Sequence, residues 1–139
     1  MDWNASRGGT LLYSCEYFAL AKVFVFRKWC DLASEHGRAR PDDLSGACKY
    51  ASLFMRDVFG GAIRGHYEHQ YNYIEGRLVD LGHDAADVGA MCHPYLHEPE
   101  FFEIPSLLRA LDRCQPRVDG WVAEFLAEQR ATCTTRSAD

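Results

Sequence analysis

A cysteine near the start of a predicted helix is the first residue in this chain whose type and position could do chemistry. Cys48 lies in the segment SGACKYASLF, where Ser45 is predicted to cap the helix and Cys48 falls in its first turn. Unpaired backbone N–H groups and the positive end of the helix dipole favour the thiolate there, which is the reactive form of cysteine. Most free cysteines are small buried hydrophobes, however, so the helix alone favours a structural role.

A predicted β-hairpin brings a histidine and an aspartate together downstream. In HQYNYIEGRLVDL, Glu75-Gly76 forms a plausible two-residue turn, so Ile74 pairs with Arg77 and the flanking residues pair in step. Side chains alternate along a strand, which puts His69 and Asp80 on one face as diagonal neighbours, roughly 7–8 Å apart. The aspartate would then fix the imidazole tautomer and stabilise its protonated form. The same face carries three further residues, and we expect the Cys48 helix to cover it: Tyr71, Tyr73 and Leu78.

His66 is the competing histidine. If one strand runs continuously through His66 and His69, the odd offset turns His66 to the opposite face, away from Asp80. We therefore expect His66 to be a surface or packing residue.

Three segments in this order, GACKYASLF, HQYNYIEG and RLVDL, resemble the transglutaminase-like branch of the papain-like cysteine-enzyme superfamily. The resemblance covers about residues 45–81. It implies a Cys-His-Asp triad with Cys48 as nucleophile, His69 as base and Asp80 as orienting acid. It also implies a central helix packed on an antiparallel sheet and acyl transfer at an amide bond, as in a peptidase, amidase, deamidase or transglutaminase. We expect a protein, peptide or small-amide substrate, with no cofactor and no metal.

The remaining sequence predicts one α+β domain over residues 1–139. A first helix, about 13–34, is apolar nearly all round and is predicted to be the buried centre. The second helix carries a core stripe and stops at Gly60-Gly61; the stripe is Ala47, Ala51, Phe54 and Val58. Three strands follow within 62–81, then one helix from about Pro105 to Cys114 and another from Pro116, with a tail frayed from about 130. Helices packed on a small antiparallel sheet, in a papain-like or transglutaminase-like core, are the expected architecture.

Composition excludes some classes of partner. The 139 residues carry a formal net charge of -5, which disfavours a nucleic-acid ligand held through its phosphates. The six cysteines are widely spaced, which is typical of reduced thiols in a cytoplasmic protein. The apolar run from Phe18 to Phe26 is interrupted by Lys22 and too short to span a bilayer, so we expect no membrane partner.

Two alternatives remain open at this stage. A metal site could use four residues with two aspartates nearby, although their spacing matches no known motif; the set is His83, Cys92, His93 and His97, with Asp84 and Asp87. The segment HPYLHEPEFF is more readily interpreted as a loop that packs Tyr95, Phe101 and Phe102 over the edge of a cleft. The second alternative is a non-catalytic module on the same fold that binds a protein or peptide. An intact Cys-His-Asp set argues against it.

Overall fold

The computed structural model describes residues 3–66, 68–83 and 96–138, with side chains to residue 132. Within these ranges the chain forms three α-helices and a four-stranded antiparallel sheet, which confirms the α+β class. The helices are α1 (Cys15–Glu35), α2 (Cys48–Phe59) and α3 (Pro105–Ala138). The strands are β1 (Arg7–Gly8), β2 (Gly60–His66), β3 (His69–Ile74) and β4 (Arg77–Val79). Short 3₁₀ helices cover Leu81–His83 and Pro99–Glu103. No helix in these ranges combines the length and the apolar character needed to cross a membrane.

Helix α2 is the buried centre of the molecule. Its predicted stripe is confirmed, and Leu53 and Met55 on its other sides are fully buried too. The ring of Phe54 lies 5.6 Å from that of Phe24 in α1 and 5.3 Å from that of Phe125 in α3, measured between centroids. Because α2 packs against both other helices and the sheet, its position fixes where Cys48 lies.

The prediction that the first helix forms the centre was wrong. Helix α1 buries one side only, including Phe18, Phe24 and Val25, and leaves Val23 69% exposed. Its apolar residues are distributed around the helix, but the deeply buried ones lie on the side that meets α2 and α3.

The four strands lie in the order β1-β2-β3-β4, with every neighbouring pair antiparallel. The β3–β4 register is the predicted one: Ile74 pairs with Arg77, Tyr73 with Leu78 and Asn72 with Val79. The turn residues Glu75 and Gly76 both have positive φ, 53° and 77°, as a tight hairpin turn of this kind requires.

The predicted orientation of His66 was wrong, whereas its role as a surface or packing residue stays a prediction. The chain reverses direction after His66 instead of continuing to His69, and the two histidines are directly paired across β2 and β3. Directly opposite residues of an antiparallel pair point to the same face of the sheet. The sequence concealed this turn because no glycine, proline, asparagine or aspartate stands between the two histidines.

Helix α3 is continuous through Pro116, so the prediction of two helices was also wrong. Its buried face crosses the proline without interruption, through Leu111, Cys114, Val118, Trp121 and Phe125. Burial of this face offsets the cost of an interior proline, about 3 kcal/mol in an isolated helix. The helix runs on to Ala138 over the segment where the sequence predicts a frayed tail; fraying itself stays a prediction.

Candidate active site

Cys48 lies in the first turn of α2, as the sequence predicts, and is its first residue, but the capping residue differs. Ala47 occupies the cap position and supplies no side-chain hydrogen bond. Ser45 lies in the preceding turn, where its backbone N–H donates to Oδ1 of Asp43 at 2.9 Å. Gly46 then adopts a φ of 81°, which turns the chain into the helix one residue before Ala47.

The missing cap leaves the start of α2 open. The first N–H groups of any α-helix lack intrahelical acceptors, and the cap residue Ala47 offers them no side-chain acceptor. These groups and the helix dipole create a positive potential around the Cys48 sulfur. The same donors can stabilise an oxyanion that forms on a carbonyl attacked by this sulfur.

His69 opens β3, and Asp80 follows directly after β4. The predicted hydrogen bond between them is present, with His69 Nε2 at 2.6 Å from Asp80 Oδ2. The other carboxylate oxygen, Oδ1, accepts the backbone N–H of Gly82 at 3.1 Å. The Asp80 side chain is 3% exposed and that of His69 is 15% exposed, so water screens this pair only weakly.

The His69 ring and the Cys48 thiol also interact, and each shifts the pKa of the other. Because Nε2 is engaged by Asp80, the other ring nitrogen, Nδ1, is the one left to meet the sulfur. Burial alone would lower the pKa of His69, but hydrogen bonds and negative charge from Asp80 and Cys48 outweigh it and raise the pKa to about 9. A histidine with this pKa carries its proton at neutral pH.

The pKa of Cys48 moves in the complementary direction. Burial of the thiol opposes ionisation, yet the hydrogen bonds from the His69 ring and the Gln70 backbone N–H, with the charge of Lys49, lower the pKa below its ordinary value. A lowered cysteine pKa beside a raised histidine pKa favours a thiolate–imidazolium pair. This is the activated form of a cysteine nucleophile.

The face that α2 covers is not the predicted one. Helix α2 contacts Gln70 and Asn72, whose side chains alternate with those of His69 and Tyr71. Asn72 donates to the backbone oxygen of Ser52 at 2.9 Å and so ties β3 to the middle of α2. His69 lies on the other face, but it is the first residue of β3. That end of the strand lies next to the start of α2, so the His69 ring can still interact with Cys48.

Gln70 is the residue of this site that sequence reasoning missed. Its side chain is 1% exposed, and its Oε1 lies 3.3 Å from the Cys48 sulfur. Its Nε2 donates to the backbone oxygen of His66 at 2.8 Å, which fixes the orientation of the amide. The amide oxygen accepts from the neutral thiol, whereas the backbone N–H of the same residue favours the thiolate. Glutamine in a strand gives no signal of such a role, and only its position beside His69 could have suggested one.

The site has the order of contacts of a Cys-His-acid triad, in which one imidazole hydrogen-bonds a carboxylate and interacts with a thiol. No family model, curated protein or solved structure matches this chain. Interpretation of the site therefore depends on its own geometry and charges.

The alternative metal cluster falls mostly outside the described residues, since Asp84, Asp87, Cys92 and His93 belong to 84–95. His97 is described, and its Nδ1 accepts the backbone N–H of Gly65 at 3.1 Å. Among residues 3–66, 68–83 and 96–138, no group of three or more His, Cys, Asp or Glu side chains could hold a metal ion.

The predicted aromatic loop is described in part. Tyr95 lies outside the described residues, whereas Phe102 is buried and Phe101 packs against the same core from a partly exposed position. The hydroxyl of Tyr71 donates to the backbone oxygen of Leu96 at 3.3 Å, so this segment contacts the sheet face that α2 does not cover. A role of the segment at the edge of a cleft stays a prediction.

Proposed function

We propose that this protein is a cysteine-dependent acyl-transfer enzyme that acts on an amide bond, of the peptidase, amidase, deamidase or transglutaminase type. Cys48 is the nucleophile, His69 the acid and base, and Asp80 the group that orients and charges His69. The observation that carries the proposal is the position of His69, which is hydrogen-bonded to Asp80 at 2.6 Å and interacts with the Cys48 thiol. The open start of α2 behind the sulfur supports the same reaction.

The reaction proceeds through a thioester. The Cys48 thiolate attacks the amide carbonyl carbon, and the carbonyl electron pair moves to oxygen, where the backbone N–H of Cys48 stabilises the charge. When the carbonyl re-forms, the C–N bond breaks and His69 gives its proton to the leaving amine. Water or a second amine then attacks the thioester, His69 takes its proton, and the thiolate leaves. With water as the second nucleophile the overall reaction is hydrolysis of the amide, and with an amine it is transfer of the acyl group to that amine.

The expected fold family and cellular setting belong to the same proposal. A central helix with cysteine at its start, packed on an antiparallel sheet that supplies histidine and aspartate, supports a papain-like or transglutaminase-like core. Cys15, Cys30, Cys48 and Cys114 are free thiols, which supports a reducing compartment such as the cytoplasm. The substrate is an amide of a protein, a peptide or a small molecule.

The pH dependence of alkylation tests the proposal without a known substrate. The full-length protein is treated with iodoacetamide from pH 5 to 10, and the rate at each cysteine is followed by peptide mass spectrometry. Cys15, which is exposed, is the internal reference thiol. Because the pKa of Cys48 is lowered by its neighbours, we expect it to react faster than Cys15 at pH 6, and His69→Ala should remove that advantage.

Labelling of Cys48 no faster than that of Cys15 at pH 6 would overturn the enzyme proposal and favour a binding module. A rate at Cys48 that His69→Ala leaves unchanged would also overturn it, because the thiol would then be activated without its supposed base. Circular dichroism of the variant separates loss of activation from loss of the fold.

A further inference from the structure

A cationic cleft opens at the start of α2, where Lys49 follows Cys48 in the helix. It has a volume of about 290 Å³ and lies between the start of α2 and the first turns of α3. Its described lining comprises Lys49, Ser106, Leu107, Ala110 and Arg113. Two of these side chains are positively charged, and the other three are uncharged. The volume is at the lower end of the range for small-molecule pockets and suits a short polar group.

Both cations are available to a ligand. In the portions of the chain that the structure describes, Lys49 and Arg113 make no ion pair with a carboxylate, whereas Arg117, one turn further along α3, is paired with Glu35 at 2.8 Å. The cleft is therefore locally positive, although the net charge of the whole chain is -5. A cleft lined by one sign of charge concentrates ligands of the opposite sign.

The cleft is coupled to the nucleophile. Lys49 follows Cys48 directly in α2, and its charge helps to lower the pKa of the Cys48 thiol, against the opposing effect of burial. Arg113 precedes Cys114 in α3, and Cys114 interacts electrostatically with Cys48, Lys49 and Arg113. A group bound between Lys49 and Arg113 therefore lies at the end of α2 that carries Cys48.

We propose that this cleft binds a carboxylate of the substrate, so that the preferred substrate is an amide with an anionic group next to the bond that is cleaved or transferred. The inference rests on the proposed function and narrows its substrate class. Arginine supplies the forked pair of N–H donors that matches a carboxylate, and lysine supplies a point charge beside it. The hydroxyl of Ser106 adds a neutral hydrogen-bonding group to the same cleft.

Two alkylating probes that differ in charge test this inference. Iodoacetate carries a carboxylate next to its reactive carbon, whereas iodoacetamide carries a neutral amide, and both react with the same thiolate. The measured quantity is the ratio of the iodoacetate rate to the iodoacetamide rate at Cys48, in wild type, Lys49→Gln and Arg113→Gln. The ratio cancels any change in thiolate population, and the contribution of His69 is the same in all three proteins. Arg27→Gln is the matched control, since it removes one exposed positive charge that is paired with Glu128 on the outer side of α1 and α3.

We expect each cleft variant to lower the ratio by roughly 3- to 10-fold at low salt, in keeping with the lower end of electrostatic steering effects. Arg27→Gln should leave the ratio within about twofold, and 0.5 M salt should reduce the difference between wild type and variants, since it shortens the screening length to a few Å. Rapid iodoacetamide labelling with an unchanged ratio in both variants would overturn the anionic-substrate inference and leave the enzyme proposal standing. Slow iodoacetamide labelling in wild type would overturn both.

Discussion

His69 joins the two ionisable groups of the site, and its proton therefore affects both reactivity and stability. Its pKa in the folded protein is about 9, against an ordinary value of 6.5. The folded state thus binds the proton more tightly than the unfolded chain does. The resulting contribution to stability is complete below pH 6.5 and is lost as the pH rises through 9.

This stability effect can be measured where the thiol does not titrate. In a Cys48→Ser background, we expect the free energy of unfolding to fall by about 1–3 kcal/mol between pH 6 and pH 9.5, since Asp80 still holds the imidazolium. Adding Asp80→Asn should flatten this dependence. Urea unfolding at several pH values measures both. Parallel pH profiles for the two proteins would contradict the assignment of Asp80 as the partner that holds the proton on His69.

Gln70 is expected to restrain the reactivity of Cys48. Gln70→Met removes the amide oxygen that accepts from the neutral thiol but keeps the backbone N–H that favours the thiolate. The midpoint of Cys48 alkylation should therefore move to lower pH, by up to about half a unit, since one hydrogen bond contributes about 1 kcal/mol or less.

Asn72→Met is the matched control for that variant, because it removes a buried amide of the same strand that bonds Ser52 and not Cys48. Both variants should lose about 1–3 kcal/mol of stability through an unpaired carbonyl, but only Gln70→Met should shift the alkylation midpoint. A shift to higher pH in Gln70→Met would mean that the side chain assists the thiolate.

At the scale of the elements, the β3–β4 turn holds His69 opposite Asp80. Glu75 has a φ of 53°, in the left-handed region that costs an ordinary residue about 1–2 kcal/mol. Asparagine tolerates this region better and precedes glycine in the preferred turns of this type. Glu75→Asn should therefore raise the free energy of unfolding by about 0.5–1 kcal/mol while leaving the rate of Cys48 alkylation unchanged. A loss of stability, or a changed alkylation rate, would show that Glu75 has a further role.

The same turn explains what could be predicted from the sequence. Glu75-Gly76 is short enough to fix the register, so the pairing of Ile74 with Arg77 and the contact of His69 with Asp80 followed from local pattern alone. The position of Cys48 in the first turn of a helix was predicted with Ser45 as the cap, and it holds although Ala47 occupies the cap position.

The features that the sequence did not predict depend on contacts between residues far apart in the chain, and a local sequence pattern carries no information about such contacts. Burial of one continuous face carries α3 through Pro116, and the two-residue strand β1 is too short to show a period. Gln70 acquires its role only because α2 places Cys48 beside it. The cationic cleft brings Lys49 together with Arg113 from a different helix.

At the scale of the whole molecule, three helices meet through one aromatic cluster behind the site. Phe54, in the middle of α2, contacts Phe24 and Phe125, and Cys48 is the first residue of the same helix. We expect Phe54→Ala to lower the free energy of unfolding by about 3–5 kcal/mol, the usual cost of truncating a buried phenylalanine. Leu12→Ala, at a position that is 82% exposed, should change it by less than about 0.5 kcal/mol. Thermal or urea denaturation measures both, and similar losses in the two variants would contradict the central place of α2.

The two-residue connection between β3 and β4 makes the chain unequally tolerant of added length. One extra residue in this turn would shift the strands by one position and turn every side chain of β4 to the other face, Asp80 with them. One extra residue in the exposed segment around Gly37 and Arg38 would only lengthen a surface loop, at a cost of a few tenths of a kcal/mol. In a library of single-residue insertions, we therefore expect variants that keep rapid Cys48 alkylation to be rare at positions 75–76 and common near 37–40.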